Sequence, residues 1–326
     1  MSTTSQNALT LGPLSATPGA RQSGYVPVRA AGVNVELPIF LLNGAEPGPT
    51  LVVTAGIHGA EYPCVEAARR LARTVDVTTL REQLIIAPQA NPLAFAARSI
   101  YITPPDGKNL NRQFPGDSQG AFSQALAYWL FHEIIRRGNV YIDLHGGDMI
   151  EALLPFSICA ATGDGTLDGK AEALAHCFGL PYVVLPGGPA SGISGATYMA
   201  AAQVGIPALL AEAGGQGLLD EASVQLLYTG LLRIMAHLGM SDAAVAPATS
   251  PPRFSHWSWL RAEANGLYYP GVQVGDAVRE GQEVGHIDDI FGNRLQTAHA
   301  PQAGTVLFVV TSLAINTGDP LLAIAA

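Results

Sequence analysis

The sequence predicts an α/β fold, in which a mixed sheet is flanked by helices, followed by a smaller all-β module at the C-terminal end. From about Gly24 to Met240, apolar strand-like runs alternate with helical patterns, which is typical of an α/β sheet. A break rich in proline and small residues follows at 246–253, and beyond it short β segments are separated by glycine turns. At 326 residues, the chain is long enough for two domains and a full core.

Each predicted element rests on the period of its apolar residues. Strands are expected where apolar residues alternate or run without interruption, at 35–42, 50–55, 83–88, 139–144, 182–185 and 207–211. Helices are expected at 61–74, 123–137, 170–178, 197–203 and 220–238. In the last of these, Leu227, Leu231, Ile234 and Leu238 recur near the 3.6-residue period of an amphipathic helix.

These elements divide the chain into four parts. Residues 1–24, rich in Ser, Thr, Gly and Ala, are expected to be an N-terminal extension with freedom to flex. The α/β domain is expected over 25–245, a linker over 246–254 and a β-rich domain over 255–326.

The C-terminal module resembles the barrel-sandwich hybrid fold of biotinyl and lipoyl carrier domains. The resemblance rests on 272–278, which reads Val-x-Val-Gly-Asp-x-Val, and on 301–306, which reads Pro-x-x-Gly-x-Val. A carrier must offer a lysine to its prosthetic group, but both lysines of this chain, Lys108 and Lys170, precede the module. The carrier role is therefore excluded, and we expect a structural or substrate-gating module.

Composition and charge narrow the classes of partner. A formal net charge of −9 argues against nucleic acids and anionic membranes, which need clustered Lys and Arg. The N-terminal segment lacks the pattern of a secretory signal, and no apolar run reaches the roughly 18 residues needed to span a bilayer. Cys64, Cys159 and Cys177 are expected to be reduced thiols. The sequence thus predicts a cytoplasmic protein, monomeric or homo-oligomeric, that acts on a small molecule.

A candidate metal site lies where two predicted strands end. Strand 50–55 runs directly into Gly-Ile-His-Gly-Ala-Glu, so that His58 and Glu61, three residues apart, can face one point. His145 follows strand 139–144 in the same way and precedes two glycines. Ligands bind outside the carboxyl ends of strands in an open α/β sheet. Two imidazoles and one carboxylate leave zinc with an open fourth position, as catalysis requires, and we predict one zinc ion per subunit here.

Glu212 stands at a third strand end, after 207–211, and precedes Ala-Gly-Gly. A carboxylate in such a water-poor place can take a proton from an attacking water and return it to a leaving amine. A helix N-cap or a structural ion pair is the alternative interpretation. The parallel with the other two strand ends favours the general acid/base.

The turn-rich segment 106–116 carries an arginine beside an amide side chain, at Arg112 and Asn111. The guanidinium offers a planar fork that matches a substrate carboxylate, and Asn111 can add a hydrogen bond. Arg98 lies upstream. Either arginine could instead polarise the scissile carbonyl and hold the oxyanion, or lie solvated at the surface.

Five motifs, in one order along the chain, resemble the succinylglutamate desuccinylase/aspartoacylase family, which belongs to the carboxypeptidase A-like zinc hydrolases. They are Gly-x-His-Gly-x-Glu at 56–61, Asn-Pro-x-Ala at 91–94, Asn-Leu-Asn-Arg-x-Phe-Pro-Gly at 109–116, Asp-Leu-His-Gly-Gly at 143–147 and Glu-x-Gly at 212–214. The resemblance covers nearly the whole chain, including the C-terminal module. It implies a zinc carboxypeptidase-like hydrolase domain over 25–245.

The resemblance also implies a role for each motif residue. The implied zinc ligands are His58, Glu61 and His145, the general acid/base is Glu212, the clamp on the substrate α-carboxylate is Asn111 with Arg112, and the carbonyl-polarising arginine is Arg98.

One position departs from the family pattern. Many relatives have Asp where this chain has Asn109, so a carboxylate that would orient a ligand histidine is missing there. Asp143 or Asp106 could take its part, and the sequence does not choose between them.

The function that this resemblance implies is zinc-dependent hydrolysis of the amide bond of an N-acyl amino acid. An N-acetylated diamino acid, such as N-acetyl-2,4-diaminobutyrate, is one substrate that it suggests. Two alternatives remain at this point: a zinc carboxypeptidase acting on short peptides, and a non-catalytic binding protein on the same fold.

Overall fold

The computed structural model describes residues 7–185, 193–242, 245–246, 248 and 251–326. Its strands are β1 (Leu9–Leu11), β2 (Leu14–Ala16), β3 (Ala20–Ala30), β4 (Val33–Asn43), β5 (Leu51–Ala55), β6 (Gln83–Ala87), β7 (Val140–His145), β8 (Glu151–Leu153), β9 (Phe156–Cys159), β10 (Tyr182–Val184), β11 (Ala208–Glu212), β12 (Arg253–Phe254), β13 (Trp257–Arg261), β14 (Gly266–Pro270), β15 (Ala277–Val278), β16 (Glu283–Asp288), β17 (Arg294–His299), β18 (Gly304–Val310), β19 (Ala314–Ile315) and β20 (Pro320–Ala325). Its helices are α1 (Tyr62–Thr74), α2 (Pro92–Ala97), α3 (Phe122–Trp129), α4 (Gly165–Phe178), α5 (Thr197–Gln203) and α6 (Glu221–His237).

Nine of the described strands form one mixed sheet, in the order β12-β10-β9-β11-β7-β5-β6-β4-β3. The four central strands β11, β7, β5 and β6 are parallel to one another, whereas β4 runs antiparallel to β6 and β9 antiparallel to β11. Apolar residues of α1, α4 and α6 pack on one face of the sheet, and those of α3 and α5 pack on the other. Strands β5 and β7 are therefore buried along their whole length, which explains their unbroken apolar runs. The predicted mixed α/β sheet is confirmed.

The predicted strands and helices of this domain are all present, with shifted ends. Helix 123–137 is wound in three ways: α3 is followed by a π-helical turn at Leu130–Ile134 and a 3-10 turn at Ile135–Arg137. The prediction missed β8, β9 and α2, which are short and carry too few residues to show a period. Cys64 and Cys159 are buried free thiols, and Cys177 is a half-buried one.

The N-terminal extension expected over 1–24 is wrong for its described part beyond residue 8. β1 and β2 form a hairpin whose Leu9, Leu11 and Leu14 are buried in the core. β3 begins at Ala20 and pairs with β4 along its whole length, forming the edge of the main sheet. Alternation of apolar and polar residues in these strands, which is the signal of a half-buried strand, is hidden by the small-residue composition.

The C-terminal β segments form two antiparallel sheets around a core of their own. One has the order β13-β20-β18-β15 and the other the order β17-β16-β14-β19. Two strands cross the predicted domain boundary. β8, from the α/β part, pairs with β18, and β12, in the predicted linker, pairs with β10 of the main sheet.

The predicted linker 246–254 therefore ends earlier than expected, because 253–254 belong to the main sheet. Residues 247 and 249–250 of it lie outside the described part of the chain. Across the described residues, no helix has both the length and the apolarity to cross a membrane.

Candidate metal centre and active site

Three parallel strands bring polar side chains to one edge of the sheet. β5 and β11 flank β7, with Glu212 paired in register with His145 and Ala55 with Leu144. The chain turns sharply after β5 at Gly56, whose φ of +66° and close approach to the backbone at 88–89 leave no room for a side chain. This turn carries His58 and Glu61 back over the strand ends, beside His145.

His58, Glu61 and His145 place one ligand atom each within 4.8 Å of one another. His58 Nδ1 lies 2.6 Å from Glu61 Oε1, and His145 Nδ1 lies 3.0 Å from Glu61 Oε2. Glu61 and His145 are buried at 3% and 1% exposure, so neither is a solvated surface group. The three side chains that the sequence predicted as ligands therefore meet at one point.

The electrostatics of this group favour a cation. Burial by itself raises the pKa of Glu61, but the two facing imidazoles outweigh burial and lower that pKa to about 2. Burial by itself lowers the pKa of His145, but Asp143 and Glu61 reverse this and raise it well above its ordinary value. A carboxylate that stays ionised, between imidazoles that gain from positive charge, is the environment that a divalent cation requires.

The donor atoms also fit zinc. Two ring nitrogens and one carboxylate form the ligand set that zinc takes in catalytic sites, with a position left open. Glu61 Oε2 lies beside His145 Nδ1 but makes no hydrogen bond, although it is buried. A buried carboxylate oxygen without a hydrogen bond is costly, and a bound cation would satisfy it. This is a His-Glu-His metal site typical of zinc hydrolases.

Both histidines are oriented from behind by hydrogen-bond acceptors. His145 Nε2 lies 2.9 Å from Asp143 Oδ2, and His58 Nε2 lies 3.2 Å from Asn109 Oδ1. Asp106, the other carboxylate left open by the sequence, instead accepts hydrogen bonds from the backbone N–H and hydroxyl of Ser123 near the start of α3. Asp143 therefore orients His145, and the amide of Asn109 serves His58 where many relatives have Asp.

Glu212 lines the same cavity as the ligands. Its Oε2 is buried and has no hydrogen-bond partner among the described residues, and burial raises its pKa well above the ordinary value. A helix N-cap or a structural ion pair would satisfy that oxygen. The unpaired, basic carboxylate matches the general acid/base interpretation and not these alternatives.

Arg112 and Asn111 occupy different places relative to the cavity. Arg112 lines it, donates from Nη1 to the backbone carbonyl of Asn111, and has no ion-pair partner within the described chain. Burial lowers its pKa. Asn111 is buried behind the wall: its Oδ1 accepts from the Thr197 N–H, and its Nδ2 lies 3.3 Å from His145 Nε2. Arg112 thus faces a ligand directly, while Asn111 holds the histidine side of the site.

The structure does not bring Arg98 to the site. This residue ends α2 in a left-handed conformation, with a φ of +52°, and its side chain is exposed and outside the cavity lining. The carbonyl-polarising role expected for Arg98 is not supported, because the chain turns away at the end of α2. Three residues later, Tyr101 reaches the cavity instead and lies edge-on to His58 with ring centroids 6.5 Å apart.

The cavity has a volume of about 480 Å³ and contains several residues that the sequence analysis missed. Tyr101 donates a hydrogen bond from its hydroxyl to Glu151, and both side chains line the cavity. Trp257, Trp259 and Arg261 line it from the C-terminal domain. The alternation Trp-x-Trp-x-Arg was visible in the sequence, but its proximity to the metal ligands depends on how the two domains pack.

A buried His-Glu-His metal site at the strand ends of a mixed α/β sheet, with a basic glutamate on the adjacent strand, defines a metal-dependent amidohydrolase. A family model for the succinylglutamate desuccinylase/aspartoacylase catalytic domain matches residues 47–238. The chain therefore belongs to the succinylglutamate desuccinylase/aspartoacylase family, and it is a deacylase of that family.

Individual relatives cover most of the chain. The N-alpha-acetyl-L-2,4-diaminobutyric acid deacetylase of Halomonas elongata is 26% identical over 298 residues, which are 89% of this chain and 86% of that protein. A crystal structure of a succinylglutamate desuccinylase/aspartoacylase from Rhodobacter sphaeroides covers 94% of both chains with a TM-score of 0.83 and 26% identity. The product-bound ectoine utilization protein EutE (DoeB) of Ruegeria pomeroyi, at 23% identity and a TM-score of 0.85, covers 94% of this chain and 95% of that one. These structures extend through the C-terminal β domain, which belongs to the shared fold.

Proposed function

We propose that this protein hydrolyses the amide bond of an N-acyl amino acid with a free α-carboxylate, using one zinc ion per subunit. The observation that carries the proposal is the meeting of three unlike groups in one cavity. These are the His-Glu-His ligands, the unpaired buried carboxylate of Glu212 and the unpaired guanidinium of Arg112. Its cytoplasmic location and its oligomeric state remain predictions from the sequence.

Each residue has a separate task in this reaction. Zinc, held by His58, Glu61 and His145, would supply Lewis-acid activation of a water molecule and of the amide carbonyl. Glu212 takes a proton from the attacking water and passes it to the departing nitrogen, because burial makes it a stronger base than a solvated carboxylate. Arg112 holds the α-carboxylate through a planar pair of N–H donors.

The relatives supply a first candidate for the substrate. The Halomonas elongata relative is an N-alpha-acetyl-L-2,4-diaminobutyric acid deacetylase, and this supports N-acetyl-2,4-diaminobutyrate as the reference compound for this chain. The side-chain preference depends on the cavity wall opposite the metal site, and that wall is a separate question taken up below.

The test is release of free amine from a panel of acetyl-, succinyl- and formyl-amino acids, with the protein loaded with zinc and after chelation. We expect turnover of at least one N-acyl amino acid, its loss on chelation and its return with zinc. Amine release that persists in the metal-free protein would contradict the proposal. So would an absence of turnover across the panel.

Two other functions are measured in the same panel. Dipeptides with a free C-terminal carboxylate test the carboxypeptidase reading, and preferential cleavage of them over N-acyl amino acids would favour it. A binding protein would retain zinc and bind the panel compounds without turnover. The unpaired Glu212 argues against the second alternative, because a site used only for binding gains nothing from a buried, unsatisfied base.

A further inference from the structure

The cavity has an aromatic wall that the proposed reaction does not require. Strand β13 reads Trp-Ser-Trp-Leu-Arg, and its alternate residues Trp257, Trp259 and Arg261 all line the cavity. Because alternate residues of a strand point to the same face, one whole face of β13 is turned toward the metal site. Two of the three tryptophans of the chain lie on this face.

The two tryptophans belong to a continuous row of rings, which we call the aromatic wall: Phe156, Trp257, Trp259 and Phe308. The centroid distances along the row are 5.9, 5.5 and 5.0 Å, and each contact is edge-to-face. Phe156 and Phe308 are buried at 5% exposure, and they fix the tryptophans between them. Trp259 remains 39% exposed although it lines the cavity. This large apolar surface is preorganised and uncovered.

Charges around the wall disfavour a cationic substrate group. Arg112 and Arg261 line the same cavity, and they would repel an ammonium group placed between them. Glu151 is an acid at this cavity, but it already accepts hydrogen bonds from the Tyr101 hydroxyl and from the Asp148 backbone N–H. A neutral apolar group meets no such penalty and would cover Trp259.

We propose that the natural substrate carries a large apolar group, either as the amino-acid side chain or as the acyl chain, which packs on Trp257 and Trp259. The inference rests on the proposed function, because it names the substrate class of the same site. It differs from the diaminobutyrate candidate in predicting that bulk and apolarity, not a second amine, raise the specificity constant. Burial of a phenyl or similar group is worth on the order of 1.5–3 kcal/mol, which is about 10- to 150-fold in kcat/KM.

The first experiment compares four substrates with the zinc-loaded protein: N-acetylglycine, N-acetyl-L-phenylalanine, phenylacetylglycine and N-acetyl-2,4-diaminobutyrate. A side-chain site predicts that N-acetyl-L-phenylalanine exceeds N-acetylglycine in kcat/KM by about tenfold or more, and an acyl site predicts the same for phenylacetylglycine. If neither aromatic compound exceeds N-acetylglycine, or if the diaminobutyrate compound exceeds both, the inference is wrong.

The second experiment assigns the preference to the wall. Trp259→Ala should lower the ratio of kcat/KM between the preferred aromatic substrate and N-acetylglycine about tenfold, and Trp259→Phe should restore most of it. The matched control is Phe291→Ala, which removes an aromatic ring that is 87% exposed on the C-terminal domain and outside the cavity lining. A ratio unchanged in Trp259→Ala, or one lowered equally by Phe291→Ala, would overturn the assignment.

Calorimetric titration separates failure of this inference from failure of the proposed function. The zinc-loaded protein is titrated with the product fragments L-phenylalanine and phenylacetate, against glycine and acetate. We expect one aromatic fragment to bind about tenfold more tightly than its small counterpart, and Trp259→Ala to abolish that difference. An absence of turnover together with this binding pattern would refute the deacylase reaction but keep the apolar site. Turnover with equal binding of all fragments would refute the apolar site alone.

Discussion

Removal of the Asp143 carboxylate should weaken zinc binding although Asp143 is not a ligand. Asp143 is fully buried behind His145, and its Oδ2 lies 2.9 Å from His145 Nε2. Its Oδ1 accepts a hydrogen bond of 2.6 Å from Thr54 Oγ1, and its Oδ2 also accepts one from the Thr197 hydroxyl. The carboxylate thus fixes the tautomer and the ring plane of His145, leaving Nδ1 free to face the metal.

The size of the effect follows from these contacts. Loss of an acceptor that orients a ligand histidine lowers metal affinity by about 10- to 100-fold, which is about 1.4 to 2.8 kcal/mol of binding free energy. Asp143→Ala also leaves the His145 N–H and two threonine hydroxyls without their acceptor, and each unsatisfied buried donor costs about 1–3 kcal/mol. The metal-free protein should therefore lose both zinc affinity and free energy of unfolding. Asp143→Asn, which keeps the shape, should lose less of both.

The assay is competition with a chelator for zinc, combined with denaturant unfolding of the metal-free variants. Asp106→Ala is the matched control, because Asp106 was the other carboxylate that could have oriented a ligand histidine. It should lower the free energy of unfolding by about 0.5–2 kcal/mol, through loss of its bonds to Ser123 at the start of α3, and leave zinc affinity unchanged.

The reasoning would be refuted by the opposite pairing. Zinc affinity equal to wild type in both Asp143 variants would show that His145 is oriented without this carboxylate. A loss of affinity in Asp106→Ala comparable to that in Asp143→Asn would show that the effect is a general loosening of the fold. If Asp143→Ala fails to fold, Asp143→Asn still decides the point.

Three further predictions concern the cavity. Glu212→Gln should keep zinc affinity, because residue 212 is not a ligand, but lower kcat by about 10²- to 10⁴-fold; a kcat close to wild type would remove Glu212 from proton transfer. Arg112→Ala should raise KM by about 10- to 100-fold for substrates with a free α-carboxylate, and an equal loss for the corresponding primary amide would refute the clamp. Burial raises the pKa of Glu151 to about 7, above its value of about 4.3 in an unfolded chain, so the unfolded state binds fewer protons between these values and stability falls as pH rises from about 4.5 to 7. Glu151→Gln should flatten that fall in denaturant unfolding of the metal-free protein, and an identical pH profile would show that the carboxyl titrates normally.

The metal site was predictable from the sequence because its determinants are local. His58 and Glu61 sit at a strand-to-helix junction, and His145 sits at the end of another buried strand. Parallel neighbouring strands place their carboxyl ends side by side, so three strand-end motifs had to meet once the sheet formed. Glu212 followed from the same rule. The choice between Asp143 and Asp106 did not, because it depends on which side of His145 each loop passes.

The remaining errors come from long-range packing. Arg98 and Tyr101 differ by only three positions, yet the left-handed turn that ends α2 leaves Arg98 exposed and lets Tyr101 reach the cavity. No period in the sequence encodes which of two neighbouring side chains points inward from an irregular loop. Likewise, β13 shows a clear strand alternation, but the cavity exists only because β13 lies against residues more than a hundred positions away.

The C-terminal domain shapes the metal site as well as the cavity wall. β8 begins at Glu151 and pairs with β18 of that domain, and the Glu151 side chain accepts a hydrogen bond of 2.7 Å from the Asp148 N–H. Asp148 in turn accepts from the Tyr101 N–H, so a pairing made by the C-terminal sheet fixes the loop that leaves His145 and the one that carries Tyr101. The ligands themselves rest on the main sheet, whereas Trp257 and Trp259 rest on β13. Substitutions on β13 can therefore change the substrate that fits without disturbing the ligands, and this separation lets one metal centre serve deacylases of different specificity.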